Sequence, residues 1–230
     1  MYIVLFDIDG TLLQSGGAGS AAFFETFRQE FGVTDIPGKI LFAGRSDRAI
    51  AEEIMRACQI EVTAEAWQRF SVGYCRRLPQ WLHACEGGIL PGVSTLLNTL
   101  QQLDHVSLGL LTGNMERGAK MKLAHYGIVD RFAFGGYGHL RTDRNDIAAD
   151  AKQAAVHYVS AQGVMTLRGV MVIGDTPNDV LCARSIDAFA VAVATGGSTR
   201  EELSAAGPDL LLDDLTNMGA LLAEIRAADA

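Results

Sequence analysis

Hydrophobic and polar positions along the chain alternate in blocks that predict strands and helices in turn. A short apolar run, residues 2–6, has the length and composition of a strand that is buried on both faces. Later blocks repeat this pattern, with strands predicted at 106–111, 132–134, 170–173, 189–193 and 210–212 and helices at 93–103, 115–126, 146–162 and 218–228. The alternation predicts an α/β fold in which helices cover both faces of a parallel sheet.

The segment from residue 15 to residue 85 has a different pattern, with helical spacing and no convincing strand. A first helix carries four phenylalanines and should end at Gly32, and a second covers the region around Ile50 and Ile54. A third should start after Thr63 and end at Pro79. Glycine-rich linkers flank the segment, so we predict a core of residues 1–14 and 86–230 with a helical insert of residues 15–85.

Polar side chains follow three of the predicted strands at the point where each strand ends. Asp7 and Asp9 follow the first, Thr112 follows another, and Asp175 and Asp179 follow a third. The carboxyl ends of parallel strands meet at one edge of a sheet, so these groups should lie close together. Four carboxylates at one point repel one another, and a divalent cation relieves that repulsion. Oxygen ligands without a His/Cys cluster favour Mg²⁺ over zinc.

Such a site suits phosphoryl transfer. Beside a cation, one aspartate can attack phosphorus, while a second carboxylate gives a proton to the leaving oxygen and later takes one from water. Gly10 permits the turn that lets Asp7 and Asp9 act together. The phosphoryl oxygens need fixed donors, and the turn at Gly113 and Asn114 offers backbone N–H groups beside the Thr112 hydroxyl.

Three segments of the chain resemble motifs of the haloacid dehalogenase superfamily. They are residues 7–12, 110–114 and 174–179, which occur in the order of that superfamily, each at a predicted strand end. The helical insert is similar to the C1 cap of phosphoglycolate-phosphatase-like members. The resemblance implies a Rossmann-like core and a Mg²⁺-dependent phosphatase that acts on a small phosphorylated metabolite.

The resemblance also implies a role for each motif residue. Asp7 would be the nucleophile and Asp9 the general acid and base. Mg²⁺ would be held by the Asp7 carboxylate, the Asp9 carbonyl and Asp175, with Asp179 in support. Thr112 would bind the transferring phosphoryl group, next to Gly10, Gly113 and Asn114.

The remaining motif of the superfamily, a Lys that is often followed by Pro, has no clear counterpart in residues 141–146. Arg144 is the first candidate for this cation, because it lies just ahead of a predicted helix and an arginine can bind phosphate through two hydrogen bonds. Lys152 is the second, since its spacing to Asp175 is closer to the usual one. Arg141 is the third.

Two further segments are open to two interpretations. Arg45 and Asp47 lie where a C1 cap usually contacts substrate, but Ser46 beside them also suits an ordinary helix N-cap. Residues 196–198 follow a strand and precede a helix, which can bind an anion. They lack the GxGxxG spacing of a nucleotide site.

Composition narrows the choice of partner and location. The formal net charge of -8 and the lack of a Lys/Arg-rich run argue against nucleic acid. No apolar run is long enough to span a membrane, and we find no signal peptide. The four cysteines form no CxxC pair, so we expect reduced thiols in a cytoplasmic protein, either a monomer or a homodimer.

Three alternatives to a phosphatase follow from the same motifs. A phosphomutase of the β-phosphoglucomutase type would need a cap arranged around a sugar bisphosphate, which the sequence does not exclude. A 2-haloacid dehalogenase is disfavoured by Asp9 and by the pair Asp175 and Asp179. A non-catalytic binding protein is disfavoured because it has no need for all these residues together.

Overall fold

Strand β1 (Tyr2–Phe6) lies inside a parallel sheet that six strands form in the described part of the chain, residues 1–38, 40–164 and 166–228 of a computed structural model. The other strands of this sheet are β4 (Val106–Thr112), β5 (Phe134–Tyr137), β6 (Gly169–Gly174), β7 (Phe189–Val193) and β8 (Leu210–Leu212). Their order is β5-β4-β1-β6-β7-β8. All five residues of β1 are buried, because the strand has neighbours on both edges and helices on both faces.

Helices cover both faces of the sheet, as the alternating pattern predicts. They are α4 (Val93–Gln101), α5 (Glu116–His125), α6 (Arg144–Ala161), α7 (Pro177–Ser185), α8 (Arg200–Ala205) and α9 (Gly219–Ala227). Val4 and Phe6 of β1 pack in one cluster with α4, α5 and α9, whereas Ile3 and Leu5 pack with α6, α7 and α8 on the opposite face. The predicted α/β class is therefore confirmed.

The insert consists of helices α1 (Ala18–Phe31), α2 (Asp47–Ala57) and α3 (Ala64–Ala84). Its own apolar cluster includes Phe23, Phe27, Phe70 and Tyr74. Two short antiparallel strands, β2 (Leu13–Gln14) and β3 (Gly88–Ile89), connect it to the sheet. At two residues each, these strands are too short for a period-two pattern to reveal. The division into core and cap at residues 15 and 85 stays a prediction.

The prediction that Pro79 ends the third helix is wrong, because α3 continues to Ala84. Proline removes one N–H donor from a helix interior and normally breaks it, at a cost of about 3 kcal/mol. Here Leu78 and Leu82 are both buried, one on each side of the exposed Pro79. Trp81 Nε1 also donates a hydrogen bond to Glu25 Oε2 of α1, at 2.6 Å. Packing against the insert core therefore carries the helix past the proline.

Two elements are shifted from their predicted positions. Helix α6 begins at Arg144 rather than at residue 146, because Asp143 caps it and accepts a hydrogen bond from the Asn145 N–H at 2.8 Å. Strand β5 lies at residues 134–137 rather than 132–134. Two glycines hide this strand in the sequence, and a Cβ on Gly136 would lie 2.3 Å from a backbone oxygen of α6.

None of the described helices combines the length and the apolar character that crossing a membrane requires. The four cysteines, Cys58, Cys75, Cys85 and Cys182, are free thiols.

Candidate active site

Three aspartates meet where the neighbouring strands β1 and β6 end. Asp7 follows β1, Asp175 follows β6, and Asp179 lies in the first turn of α7. One carboxylate oxygen from each residue lies within 4.8 Å of the others, and all three residues are buried. The structure thus brings together three of the four acids that the strand-end pattern selected.

Burial and mutual repulsion set the electrostatics of these three acids. Burial, together with the charge of Asp179, raises the pKa of Asp7 to about 7, and Arg144 opposes that rise. Burial raises the pKa of Asp175 to about 8, with Asp179 and Asp7 adding to it. Asp7 Oδ1 is buried and has no hydrogen-bond partner among the described residues. Three crowded oxygen donors, one of them unpartnered, fit a small divalent cation such as Mg²⁺.

Glycines allow the backbone to approach the Asp175 carboxylate. Gly10 has a φ of 83°, and a Cβ at this position would lie 2.4 Å from Asp175 Oδ2. A Cβ on Gly196 would lie only 1.6 Å from the same oxygen. Thr11 Oγ1 donates a hydrogen bond to Asp175 Oδ1 at 3.1 Å. Gly196 therefore borders the acidic group. Its position in the sequence, after a strand, did not predict this contact.

Asp179 and Arg144 form a buried ion pair at the back of the site. Arg144 Nη2 donates to Asp179 Oδ1 at 2.5 Å, and both side chains are almost fully buried. Asp179 Oδ2 also accepts from the N–H and the hydroxyl of Thr176, which completes the capping box of α7. Arg144 is the first residue of α6 and lines the central cavity. Asp179 thus caps a helix and belongs to the acidic group at once.

The other two candidate cations lie outside the site. The Lys152 ammonium donates to the Ile186 carbonyl oxygen at 2.6 Å, at the end of α7. Lys152 is eight residues into α6, and this places it about 12 Å along the helix from Arg144. Arg141 pairs with Asp150 on the surface at 2.9 Å. Of the three candidates, only Arg144 is placed beside Asp7 and Asp179.

Asp9 is separated from the other acids and pairs with Lys122 of α5. The Lys122 ammonium donates to Asp9 Oδ1 at 2.8 Å and to Oδ2 at 2.6 Å. Asn114 Nδ2 donates to Asp9 Oδ2 at 2.8 Å and also to the Thr112 hydroxyl at 2.8 Å. Thr112 is fully buried, so in this arrangement it orients Asn114. The Asp9 carboxylate therefore faces a cation and an amide.

Lys122 was not selected from the sequence. The signal was a charge on the buried side of a helix, since Lys122 follows the buried Gly118 by four residues and Met115 by seven. Charged residues are almost never fully buried unless they are paired. That rule identifies Lys122 as a residue with a buried partner, but it does not say which one.

The first residue of α2 contacts the turn that follows β4. The Asp47 N–H donates to the Gly113 carbonyl at 2.7 Å, and Asp47 Oδ2 accepts from the Met115 N–H at 2.7 Å. Burial raises the pKa of Asp47 to about 6, although Lys122 and the Met115 N–H oppose the rise. Ser46 caps α2, as the simpler interpretation expects. Asp47, a residue of the insert, is therefore hydrogen-bonded to the residues directly before and after Asn114.

Arg45 lies just before α2 and lines the cavity. Its guanidinium pairs with Glu53 at 2.5 Å and donates to the Leu41 carbonyl at 3.2 Å. Its side chain is 29% exposed. Arg45 therefore faces the cavity and is already paired within the insert.

A cavity of about 510 Å³ lies between the sheet edge and the insert. The sheet edge lines the cavity with Asp7, Asp9, Asn114 and Asp175. The insert lines it with apolar residues that include Phe23, Phe42, Ile50 and Tyr74. The insert also contributes Arg45 and Asp47, so charged groups lie on both sides of the cavity, and Lys122 and Arg144 add positive charge on the sheet side. The volume suits a small molecule.

Comparison with known proteins identifies the family. The family model described as haloacid dehalogenase-like hydrolase matches residues 1–187. The chain is 27% identical over 215 residues to a phosphoglycolate phosphatase of Synechococcus elongatus, with 93% of each chain covered. It is 28% identical over 225 residues to a phosphoglycolate phosphatase of Chromobacterium violaceum, covering 94% of this chain and 93% of that one.

Solved structures share the fold. A hydrolase from Pseudomonas syringae superposes with a TM-score of 0.71 at 23% identity, over 98% of this chain and 99% of that one. CbbY from Rhodobacter sphaeroides, solved in complex with phosphate, superposes with a TM-score of 0.73 at 18% identity, over 94% and 96% of the two chains.

The fold and the site define an α/β protein with a helical insert and a group of acids at the carboxyl edge of its parallel sheet. The chain belongs to the haloacid dehalogenase-like hydrolases. The predicted family is therefore confirmed. The prediction of a hydrolase that resembles phosphoglycolate phosphatases in sequence is confirmed as well.

Proposed function

We propose that this enzyme hydrolyses a phosphate monoester of a small metabolite through an aspartyl-phosphate intermediate. One observation carries the proposal: a buried, unpartnered carboxylate oxygen of Asp7 lies beside two further carboxylates and close to Arg144. Asp7 can act as a nucleophile only when ionised, and a bound cation would maintain that state. The similarity to phosphoglycolate phosphatases supports the same reaction class.

The acidic group fits Mg²⁺. Asp7, Asp175 and the Asp9 carbonyl would hold the ion, and Asp179 would support it from the ion pair with Arg144. When bound, the ion supplies positive charge against the phosphoryl oxygens and keeps the aspartates ionised. The Asp9 carboxylate, by contrast, faces Lys122.

The chain's own residues account for the proton and bond changes. Asp7 attacks phosphorus, the bond from phosphorus to the ester oxygen breaks, and Asp9 gives its proton to the leaving alkoxide. Water then attacks the aspartyl phosphate and Asp9 takes a proton from it, so that phosphate leaves and Asp7 is restored. Arg144 and the Gly113 N–H would stabilise the phosphoryl oxygens, since both residues line the cavity. The Asn114 N–H donates to the Thr112 hydroxyl at 3.3 Å and the Met115 N–H to Asp47, so these two donors hold the turn itself.

The insert would exclude bulk water and select the substrate. The start of α2 is hydrogen-bonded to the turn at Gly113, and the insert completes one wall of the cavity. A cavity of about 510 Å³ has room for a small phosphate monoester. We propose 2-phosphoglycolate as the first substrate to test, on the basis of the relatives.

The test is a panel of small phosphate monoesters assayed with and without Mg²⁺. We expect phosphate release that needs Mg²⁺ and that is fastest for short, acidic monoesters. Well-folded protein that releases no phosphate from any member, p-nitrophenyl phosphate included, would contradict the proposal. Metal-independent release of halide from a 2-haloacid would favour the dehalogenase alternative instead.

A further inference from the structure

A buried lysine lies against the residue proposed to carry the proton. The Lys122 side chain is 5% exposed, whereas the Asp9 side chain is 41% exposed. The lysine reaches Asp9 from α5, and its hydrogen bonds go to Asp9 and Asn114. Asp7, Asp175 and Asp179 are not among these partners.

Lys122 fixes the carboxylate in both distance and rotation. Its ammonium bonds both oxygens of Asp9, at 2.8 and 2.6 Å, and also the Asn114 Oδ1 at 2.7 Å. Asn114 returns a hydrogen bond to Asp9 Oδ2 at 2.8 Å. The three side chains form a closed triangle, and charge-assisted bonds of this kind are the strongest that side chains make.

Packing alone does not explain a lysine at this position. Taking an ammonium out of water costs several kcal/mol, which only well-placed partners offset. The chain offers the ammonium little room, since a Cβ on Gly19 would lie 3.3 Å from Lys122 Nζ. An apolar residue would fill the site without the cost of desolvation.

We infer that Lys122 is a positioning residue for Asp9, and that it aims the Asp9 carboxylate at the leaving oxygen of the substrate through the Lys122–Asp9–Asn114 triangle. The inference rests on the proposed phosphatase function. Lys122 transfers no proton and touches no phosphoryl oxygen in this scheme. Its effect reaches the reaction through the orientation of Asp9.

The leaving group distinguishes this role from a structural one. An alkoxide must be protonated as it leaves, so its departure depends on how Asp9 is aimed. A p-nitrophenolate leaves without a proton. The ratio kcat/KM reports the steps up to the first irreversible one, which is the transfer of the phosphoryl group to Asp7.

The experiment measures kcat/KM in Mg²⁺ for p-nitrophenyl phosphate and for the best alkyl phosphate of the panel. Variants are Lys122→Met, Lys122→Gln and Lys122→Arg, with thermal denaturation to confirm folding. The control is Lys120→Met, because Lys120 lies on the same helix in an exposed pair with Glu116. Lys122→Gln replaces Lys122→Met if the latter does not fold.

We expect Lys122→Met to lower kcat/KM for the alkyl phosphate by at least about tenfold more than for p-nitrophenyl phosphate. Lys122→Arg should recover part of the loss, and Lys120→Met should match the wild type. Equal losses on both substrates, or no loss, would overturn the inference. An inactive wild-type enzyme would instead refute the proposed phosphatase function.

Discussion

Arg144 is a buried cation among the acids of the site. It is buried at the first position of α6 and pairs with the buried Asp179. The charge of Asp7 also acts on it, so this guanidinium balances two acids at the end of the sheet. The Arg144 guanidinium orients Asp179, which caps the start of α7. Under the proposed function it also binds the phosphoryl group.

Replacing Arg144 by Met should lower both stability and turnover. The change leaves Asp179 buried without its cation, and breaking a buried pair costs about 3–5 kcal/mol. Urea denaturation without Mg²⁺ measures the free energy of unfolding. Arg141→Met is the control, because its pair with Asp150 is exposed to solvent and should contribute little to stability. Equal stability of the two variants would contradict this account of Arg144.

Among single residues, the sequence predicted the site groups that directly follow strands. It did not predict the groups that distant helices bring to the site. Asp7, Asp175 and Asp179 stand out because each lies in a short motif at a strand end. Lys122 contacts a residue 113 positions earlier, and Asp47 contacts one 68 positions later. Neither contact has a local pattern, because each depends on how distant elements pack.

Between elements, hydrogen bonds join the first turn of α2 to the turn after β4. Asp47 both donates to Gly113 and accepts from Met115, so the turn that carries Asn114 is held from the insert. The Arg48 N–H also donates to the Gly138 carbonyl at 3.3 Å. A cavity wall and the phosphate-binding turn are therefore fixed by the same contacts.

Asp47→Ala should lower kcat/KM about tenfold or more and cost about 1–3 kcal/mol, because it leaves the buried Met115 N–H unsatisfied. Asp47→Asn keeps an oxygen acceptor and should remain within about threefold of the wild type, since the hydrogen bond and not the charge holds the turn. Steady-state kinetics and thermal denaturation compare the two. Arg56→Ala is the control, as Arg56 is exposed on the same helix. An alanine variant as active as the asparagine variant would show that the contact is dispensable.

Prediction of the elements succeeded where local pattern and packing agree. The end of α1 at Gly32, which has a φ of 69°, follows from local chemistry alone. The continuation of α3 past Pro79 does not, because burial of Leu78 and Leu82 against the insert outweighs the local penalty. Strand β5 was misplaced since its glycines carry no hydrophobic signal, while their small size is what lets α6 pack closely.

At the scale of the whole molecule, the sheet edge stores unfavourable charge that a bound cation would relieve. In an unfolded chain Asp7 and Asp175 would ionise near pH 4. In the folded chain their pKa values are about 7 and about 8. The folded state therefore binds more protons, so the stability of the metal-free protein falls as pH rises from about 4 to about 8.

Mg²⁺ should therefore stabilise the protein more at pH 8 than at pH 6. The ion needs ionised carboxylates and must displace protons at the lower pH. Its dissociation constant should therefore be at least about tenfold higher at pH 6 than at pH 8. Titration calorimetry at both pH values measures it. Asp175→Asn should weaken Mg²⁺ binding at both pH values because it removes one of the proposed ligands, whereas Asp150→Asn, at the surface, should leave it unchanged. Binding that does not change with pH would contradict this description of the site.

The proposed mechanism requires that Asp7 form a covalent bond to phosphorus. The direct measurement is turnover of p-nitrophenyl phosphate in Mg²⁺ by wild type and by Asp7→Asn, with thermal denaturation as the check on folding. We expect a folded variant whose kcat is lower by at least about a thousandfold, since an amide is a poor nucleophile. A folded Asp7→Asn variant that turns over substrate at the wild-type rate would contradict this mechanism.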